Sequence, residues 1–182
     1  MKNLLLATLL LLLFSNMQCD KSTTPPEPEL TLPPITTQGL NTVGCKIDGK
    51  VWVPYSKTPV PRMNIVVNTR DNWYCSFAGR QHDNSSYSRN TIEFNISPLN
   101  TDTFFILGKN RKGNIGFFLP IDTIGSSGYL TDENLNNGYV HIHKFDSINQ
   151  IISGTFAFSV INSVSKIKHE ITEGRFDLRF SY

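Results

Sequence analysis

The sequence predicts an all-β domain, an antiparallel β-sandwich of roughly eight to ten strands, with a small closed β-barrel as the alternative. Three observations predict it. From Val43 onward no segment keeps an apolar stripe at the helical period, whereas several alternate strictly with period two. Gly, Asn and Asp cluster between these runs, where turns need them. At 182 residues and 39% hydrophobic content, the chain is also long enough to bury one sizeable core.

The first element is a hairpin. Asp48-Gly49 separates Cys45-Lys46-Ile47 from Lys50-Val51-Trp52-Val53, and a type I′ turn needs positive φ at both central positions. Cys45 shares a face with Val43 and Ile47, while Trp52 is placed with Lys50 and Pro54, opposite Val51 and Val53. Strands follow near Asn64–Asn68 and Trp73–Arg80, the latter with Trp73, Cys75 and Phe77 on its apolar side and Tyr74 opposite. Ile92, Phe94 and Ile96 alternate with Thr91, Glu93, Asn95 and Ser97. Thr103–Gly108 is a further strand, and Ile115, Phe117, Leu119 and Ile121 form an apolar row. Tyr139–Phe145 comes next, then Ile152, Phe156, Phe158 and Val160 on one face, with Gly154 leaving room there for a neighbour or a bulge. Phe176, Leu178, Phe180 and Tyr182 close the chain, alternating with Arg175, Asp177, Arg179 and Ser181. Lys112-Gly113-Asn114, Asn136-Asn137-Gly138 and Glu173-Gly174 read as turns between these runs.

Ahead of the domain lies an export signal. Lys2 supplies a positive start and Leu4 to Phe14 an unbroken apolar run, too short to span a bilayer and long enough for a secretory signal. Ser15-Asn16-Met17-Gln18 leads to Cys19, where a bacterial lipoprotein carries its acyl chains. Asp20 to Thr42 then holds five of the ten prolines, the composition of a flexible tether for an anchored domain. The expected organisation is a signal peptide over 1–18, a lipidated Cys19 with its tether over 19–42, and the β-domain over 43–182. Two or more acyl chains would hold such a protein at the outer membrane, on its periplasmic side or at the cell surface.

Charge narrows the partners. A leader whose only charged residue is Lys2 leaves 16 basic against 15 acidic residues, with no basic stripe and no acidic tail. Nucleic acid is therefore not an expected partner.

Two stretches carry a family resemblance. Leu32 to Pro54 (LPPITTQGLNTVGCKIDGKVWVP), and Ile152 to Phe158 (ISGTFAF) together with Ile171 to Asp177 (ITEGRFD), resemble small Bacteroidota-type lipoproteins that carry an all-β domain of unknown function. The resemblance implies an outer-membrane lipoprotein. It implies no activity and transfers no catalytic residue.

The remaining side chains offer limited chemistry. Cys45 and Cys75 both face the core; outside the cytoplasm they are expected to form a disulfide, worth about 3–4 kcal/mol in the chain-entropy model. Two buried free thiols are the alternative. His141 and His143, two apart on one strand face with Tyr139 and Phe145, can supply two metal ligands. A site would need a third, with Asp146, His169 and Glu170 as candidates, and otherwise the pair sits on an aromatic surface. Gly125-Ser126-Ser127-Gly128 lacks the form of a nucleophile elbow and has no base, and His82-Asp83 reads as a loop, so no enzyme and no cofactor are expected. Trp52, Tyr74 and Tyr87 lie on polar faces or loops, where aromatic rings stack on sugars or fill a partner's pocket; second-face packing is the alternative. Asp122-Thr123-Ile124 and Asp146-Ser147-Ile148 are similar to a short O-glycosylation acceptor pattern of these bacteria and should lie on exposed loops. The functional expectation is an envelope lipoprotein whose β-domain is a non-enzymatic binding or structural module. The alternatives are a glycan- or peptide-binding accessory module and a metal-dependent enzyme centred on His141 and His143.

Overall fold

The computed structural model describes residues 30–56, 63–68, 74–82, 89–108, 114–120, 128–132 and 137–180. The export signal, Cys19, Trp73, Asp83, Tyr87, residues 122–124 and Tyr182 lie outside the described residues. Twelve strands occur among those described: β1 (Thr42–Ile47), β2 (Lys50–Trp52), β3 (Tyr55–Ser56), β4 (Met63–Asn68), β5 (Tyr74–His82), β6 (Arg89–Ile96), β7 (Thr103–Leu107), β8 (Ile115–Leu119), β9 (Tyr129–Leu130), β10 (Gly138–Asp146), β11 (Ile151–Ile161) and β12 (Lys168–Arg179). All pairs are antiparallel apart from the short parallel contact of β3 with the end of β5.

Hydrogen bonding runs along β2-β1-β12-β11-β9-β8-β6-β5-β3; β10 and then β7 branch from β11, and β4 lies on β5. The ends of the path do not meet, so the sheet is not a closed barrel. Its corner is β9, where Leu130 pairs with both Ile161 and Phe117. One half is β2-β1-β12-β11-β10-β7; the other is β8-β6-β5 with β4 and β3 at its edge. Phe94 of β6 packs 5.4 Å from Phe156 of β11 and 5.6 Å from Phe176 of β12, and Phe77 of β5 lies 6.2 Å from Phe176. Rings so far apart along the path meet because the sheet doubles over itself, which makes the sandwich. Burying each of these rings contributes about 1.5–3 kcal/mol.

The hairpin forms as expected, with Asp48 at φ 49° and Gly49 at φ 81°. Its register corrects the placing of Trp52. A two-residue turn pairs Ile47 with Lys50 and therefore Cys45 with Trp52. Directly opposed residues share a face, so Trp52 points inward and is only 3% exposed. Its ring reaches across to Gly79 of β5, in the other half.

The cysteines also need correction. Both thiols are free and fully buried, Cys45 opposite Trp52 in one half and Cys75 between Val67 and Ile96 in the other. Face-packed sheets stand about 10 Å apart, beyond the roughly 7 Å Cα separation that a disulfide spans. The pair acts as two small apolar side chains. Burial pushes the Cys75 thiol up to about 12 and Cys45 further still.

Bulges account for the other departures. Glu173-Gly174 is not a turn but the middle of β12, where one extra residue is accommodated against both neighbours: Phe156 pairs with Gly174 while Phe158 pairs with Ile171. Glu173 takes φ 50° there, and Gly174 lies under the Phe156 ring, which a Cβ would strike. The inward set accordingly changes from Ile171 to Phe176, Leu178 and Phe180. In β10 the bulged residue is His143, unpaired between Ile142–Gly154 and Lys144–Ser153. Phe145 is thereby turned off the histidine face and stacks on Phe180, 5.7 Å away. Gly154 provides the room expected of it, since a Cβ would meet the His141 carbonyl and the Phe176 ring. In β8 the inward residues are Gly116 and Phe118, opposite Phe94 and Ile92, so the row Ile115, Phe117 and Leu119 lies on the outer face.

Two outward residues that face each other on β11 and β12, Ser153 and Asp177, are buried. Asp177 is 1% exposed because residues 36–40 lie over it. Its carboxylate accepts the Thr36 hydroxyl (2.6 Å) and the N–H groups of Gly39 (2.6 Å), Gln38 (3.0 Å) and Leu40 (3.3 Å). Leu32 and Pro33 continue this strap across Gly44 of β1. Domain contacts thus reach into the stretch read as tether.

Candidate functional site

The outer face of β7 and β10 carries three exposed large hydrophobic side chains, more than any other strand pair among the described residues. In β7, Phe105 and Leu107 enter the core, so Phe104 and Ile106 must point out; they are 61% and 46% exposed. The antiparallel register sets Phe104 opposite His141 and Ile106 opposite Tyr139, which is 36% exposed. Phe104 stacks on the His141 imidazole at 3.8 Å with only 14° between the planes, and Tyr139 lies 5.9 Å from Phe104. β7 pairs with β10 alone among the described strands, so the row lies at the rim of its half of the sandwich.

Polar groups frame the rings. His141 Nε2 donates to Asp102 Oδ1 at 3.1 Å, from the turn leading into β7. His143 packs edge-on to His141 at 4.7 Å, and its Nε2 lies 3.2 Å from Thr155 Oγ1. Burial, and then repulsion from His141, hold His143 below the ordinary imidazole range, with Asp102 opposing them. The Asp102 side chain is largely exposed, so its pairing with His141 orients the ring more than it stabilises the fold. What this arrangement offers is an apolar strip of about three side chains, edged by donors and acceptors.

The structure brings His141 and His143 together as expected, and leaves the third ligands named for them elsewhere. His169 pairs with Val160, five residues along β11 from the partner of His141, which is about 16 Å of strand. There it contacts Asp48, its Nδ1 being 2.7 Å from Asp48 Oδ2. Glu170 accepts the Ser159 hydroxyl and pairs with Lys168. Asp146 caps the following turn through the N–H groups of Ile148 and Asn149. Among the described residues no three of His, Cys, Asp and Glu gather as a cation site. The predicted aromatic residues do not converge either. Trp52 is core, Tyr74 is described in its backbone only, and Tyr87 lies outside the described residues. Asp146-Ser147-Ile148 does occupy a turn, with Ile148 91% exposed.

Phe104 and Ile106 escaped the sequence reading. Their signal was present: Phe104 to Leu107 is a run of four apolar residues, and a strand with one buried face must send two of them outward. Comparison with protein-family models, with curated proteins and with solved structures found no match for this chain.

Proposed function

We propose that the chain is an exported envelope lipoprotein, acylated at Cys19 and held at the outer membrane, whose β-sandwich is a non-enzymatic module that binds an extended glycan. The observation that carries the binding reading is the exposed row Phe104, Tyr139 and Ile106 on one face of the β7–β10 pair. Apolar rings left in water at a sheet rim cost solvation that a ligand relieves, and exposed patches of this kind mark interaction surfaces. Sugar rings match such a face, because each has an apolar side for stacking and hydroxyls for the neighbouring His143 and Asp102. Anchoring rests on the apolar run ahead of Cys19 and the proline-rich stretch behind it.

The test is affinity electrophoresis through gels containing envelope or dietary polysaccharides. At least one glycan should retard the protein, and Phe104→Ala with Tyr139→Ala should abolish the retardation without moving the thermal midpoint by more than a few degrees. A double variant still retarded would move the binding elsewhere; retention by an envelope protein and by no glycan would replace the ligand class. Incorporation of a palmitate analogue, lost in Cys19→Ser, checks the anchor.

A further inference from the structure

Between the two halves, at the end of the β1–β2 hairpin, opens a cavity of about 370 Å³. That is within the size range of small-ligand sites. Ile47, Trp52 and Phe118 supply apolar wall, and Asp48, Lys50 and His169 supply polar groups. We propose that this cavity binds one uncharged sugar ring, the terminal hexopyranose of a glycan. The inference stands on the cavity alone and does not depend on the outer face of β7 and β10.

Unspent hydrogen-bonding capacity points to a polyol. The Trp52 ring is part of the cavity wall, while its Nε1–H is enclosed out of solvent reach with no partner among the described residues. Asp48 accepts the Glu170 N–H at 2.9 Å and contacts His169 Nδ1 at 2.7 Å. A carboxylate has about four lone-pair sites, so roughly two remain for hydroxyl donors. Burial would raise the Asp48 carboxyl, but the Glu170 N–H, the His169 ring and the Lys50 charge outweigh it and keep Asp48 ionised. His169 is fixed at the cavity wall by its Nδ1 contact with Asp48 and by edge-on packing against Phe118 and Tyr129. The exposed Lys50 ammonium adds a donor at the rim.

The charges select against other classes. One carboxylate and one ammonium share the opening, so neither an anion nor a cation gains a net attraction: on a single charge the fields of the two groups largely cancel. A wholly apolar ligand would strip water from both and return no hydrogen bond. Sugar hydroxyls donate to Asp48, accept from Lys50, and leave an apolar ring face for the wall.

Two tryptophans give two indole N–H resonances, and Trp52→Phe identifies one by its loss. Isotope-labelled protein is titrated with the methyl glycosides of glucose, galactose and mannose, and separately with cyclohexanol and benzoate. One glycoside should move the Trp52 resonance saturably, with Kd on the order of 1 mM. Lys50→Ala, at an exposed strand position, and Asp48→Asn should each weaken it about tenfold. Phe104→Ala should leave it unchanged, which separates this site from the outer face. The proposal is overturned if no glycoside moves the resonance, if cyclohexanol or benzoate moves it equally well, or if Lys50→Ala binds like the wild type.

Discussion

Replacing Asp177 by Ala removes the acceptor that fastens the strap to the sandwich. Four donors converge on this carboxylate: the Thr36 hydroxyl and the N–H groups of Gln38, Gly39 and Leu40. Hydrogen bonds to a charged group are worth about 1.5–3 kcal/mol each, giving a gross interaction of roughly 6–12 kcal/mol. Ordering the backbone of residues 36–40 costs about 1–2 kcal/mol per residue, which offsets most of that. Once the carboxylate is gone the strap can release and return its donors to water, so the loss is limited to the net docking energy. The expected destabilisation is about 2–4 kcal/mol, a large share of a typical domain stability of roughly 5–15 kcal/mol.

Urea unfolding measures it, and amide exchange of residues 36–40 shows whether the strap has come away. Acid tests the same contact. Burial would raise the Asp177 carboxyl, but the Thr36 hydroxyl and the three N–H groups hold it below the usual carboxylate range. Its folded value being depressed, its contribution is full above the unfolded carboxylate pKa of about 3.9 and is lost as pH falls through the folded value. Stability should therefore fall more steeply below about pH 4 in the wild type than in Asp177→Asn. An Asp177→Ala protein within about 0.5 kcal/mol of wild type, with residues 36–40 still protected, would refute the account.

Two further predictions concern the interior. Cys45 and Cys75, buried and with thiols held protonated, should resist alkylation at about pH 8 in the native state and both react on unfolding without reductant; peptide mapping that finds them joined would restore the disulfide. Ser153 Oγ is buried with no partner among the described residues, so Ser153→Ala should raise stability by up to about 1 kcal/mol, and a lower urea midpoint would mean that the hydroxyl has a partner.

The strands were legible because each rests on local pattern. The segments near Asn64–Asn68, Thr103–Gly108 and Tyr139–Phe145 match β4, β7 and β10, and Asp48-Gly49 makes its hairpin. The candidate face was legible only in half. Spacing places Tyr139, His141, His143 and Phe145 on one surface, but the bulge turns Phe145 away, and Phe104 reaches that surface through a pairing across 37 residues that no local pattern encodes. The Asp48–His169 contact, 121 residues apart, belongs to the same class. Asp177 looked like a solvent-facing residue because alternation tells which way a side chain points and not what later covers it.

Trp52 is different, because its correct placing was already implied. Once Asp48-Gly49 is taken as a two-residue turn, Cys45 and Trp52 are opposed and must share a face, so an inward Cys45 requires an inward Trp52. Reading each strand separately concealed the conflict; reading the pair exposes it. The bulges leave a comparable trace. Within β12 the inward residues change parity between Ile171 and Phe176, and within β10 between Ile142 and Phe145. A strand cannot change parity without an inserted residue, so the change locates the bulge: Glu173-Gly174 in one case and His143 in the other. The bulge in β10 has a consequence for the candidate site. Without it Phe145 would follow His143 onto the outer face and Lys144 would follow Ile142 into the core. With it, the aromatic strip ends at the histidines, where Asp102 and Thr155 supply its polar border.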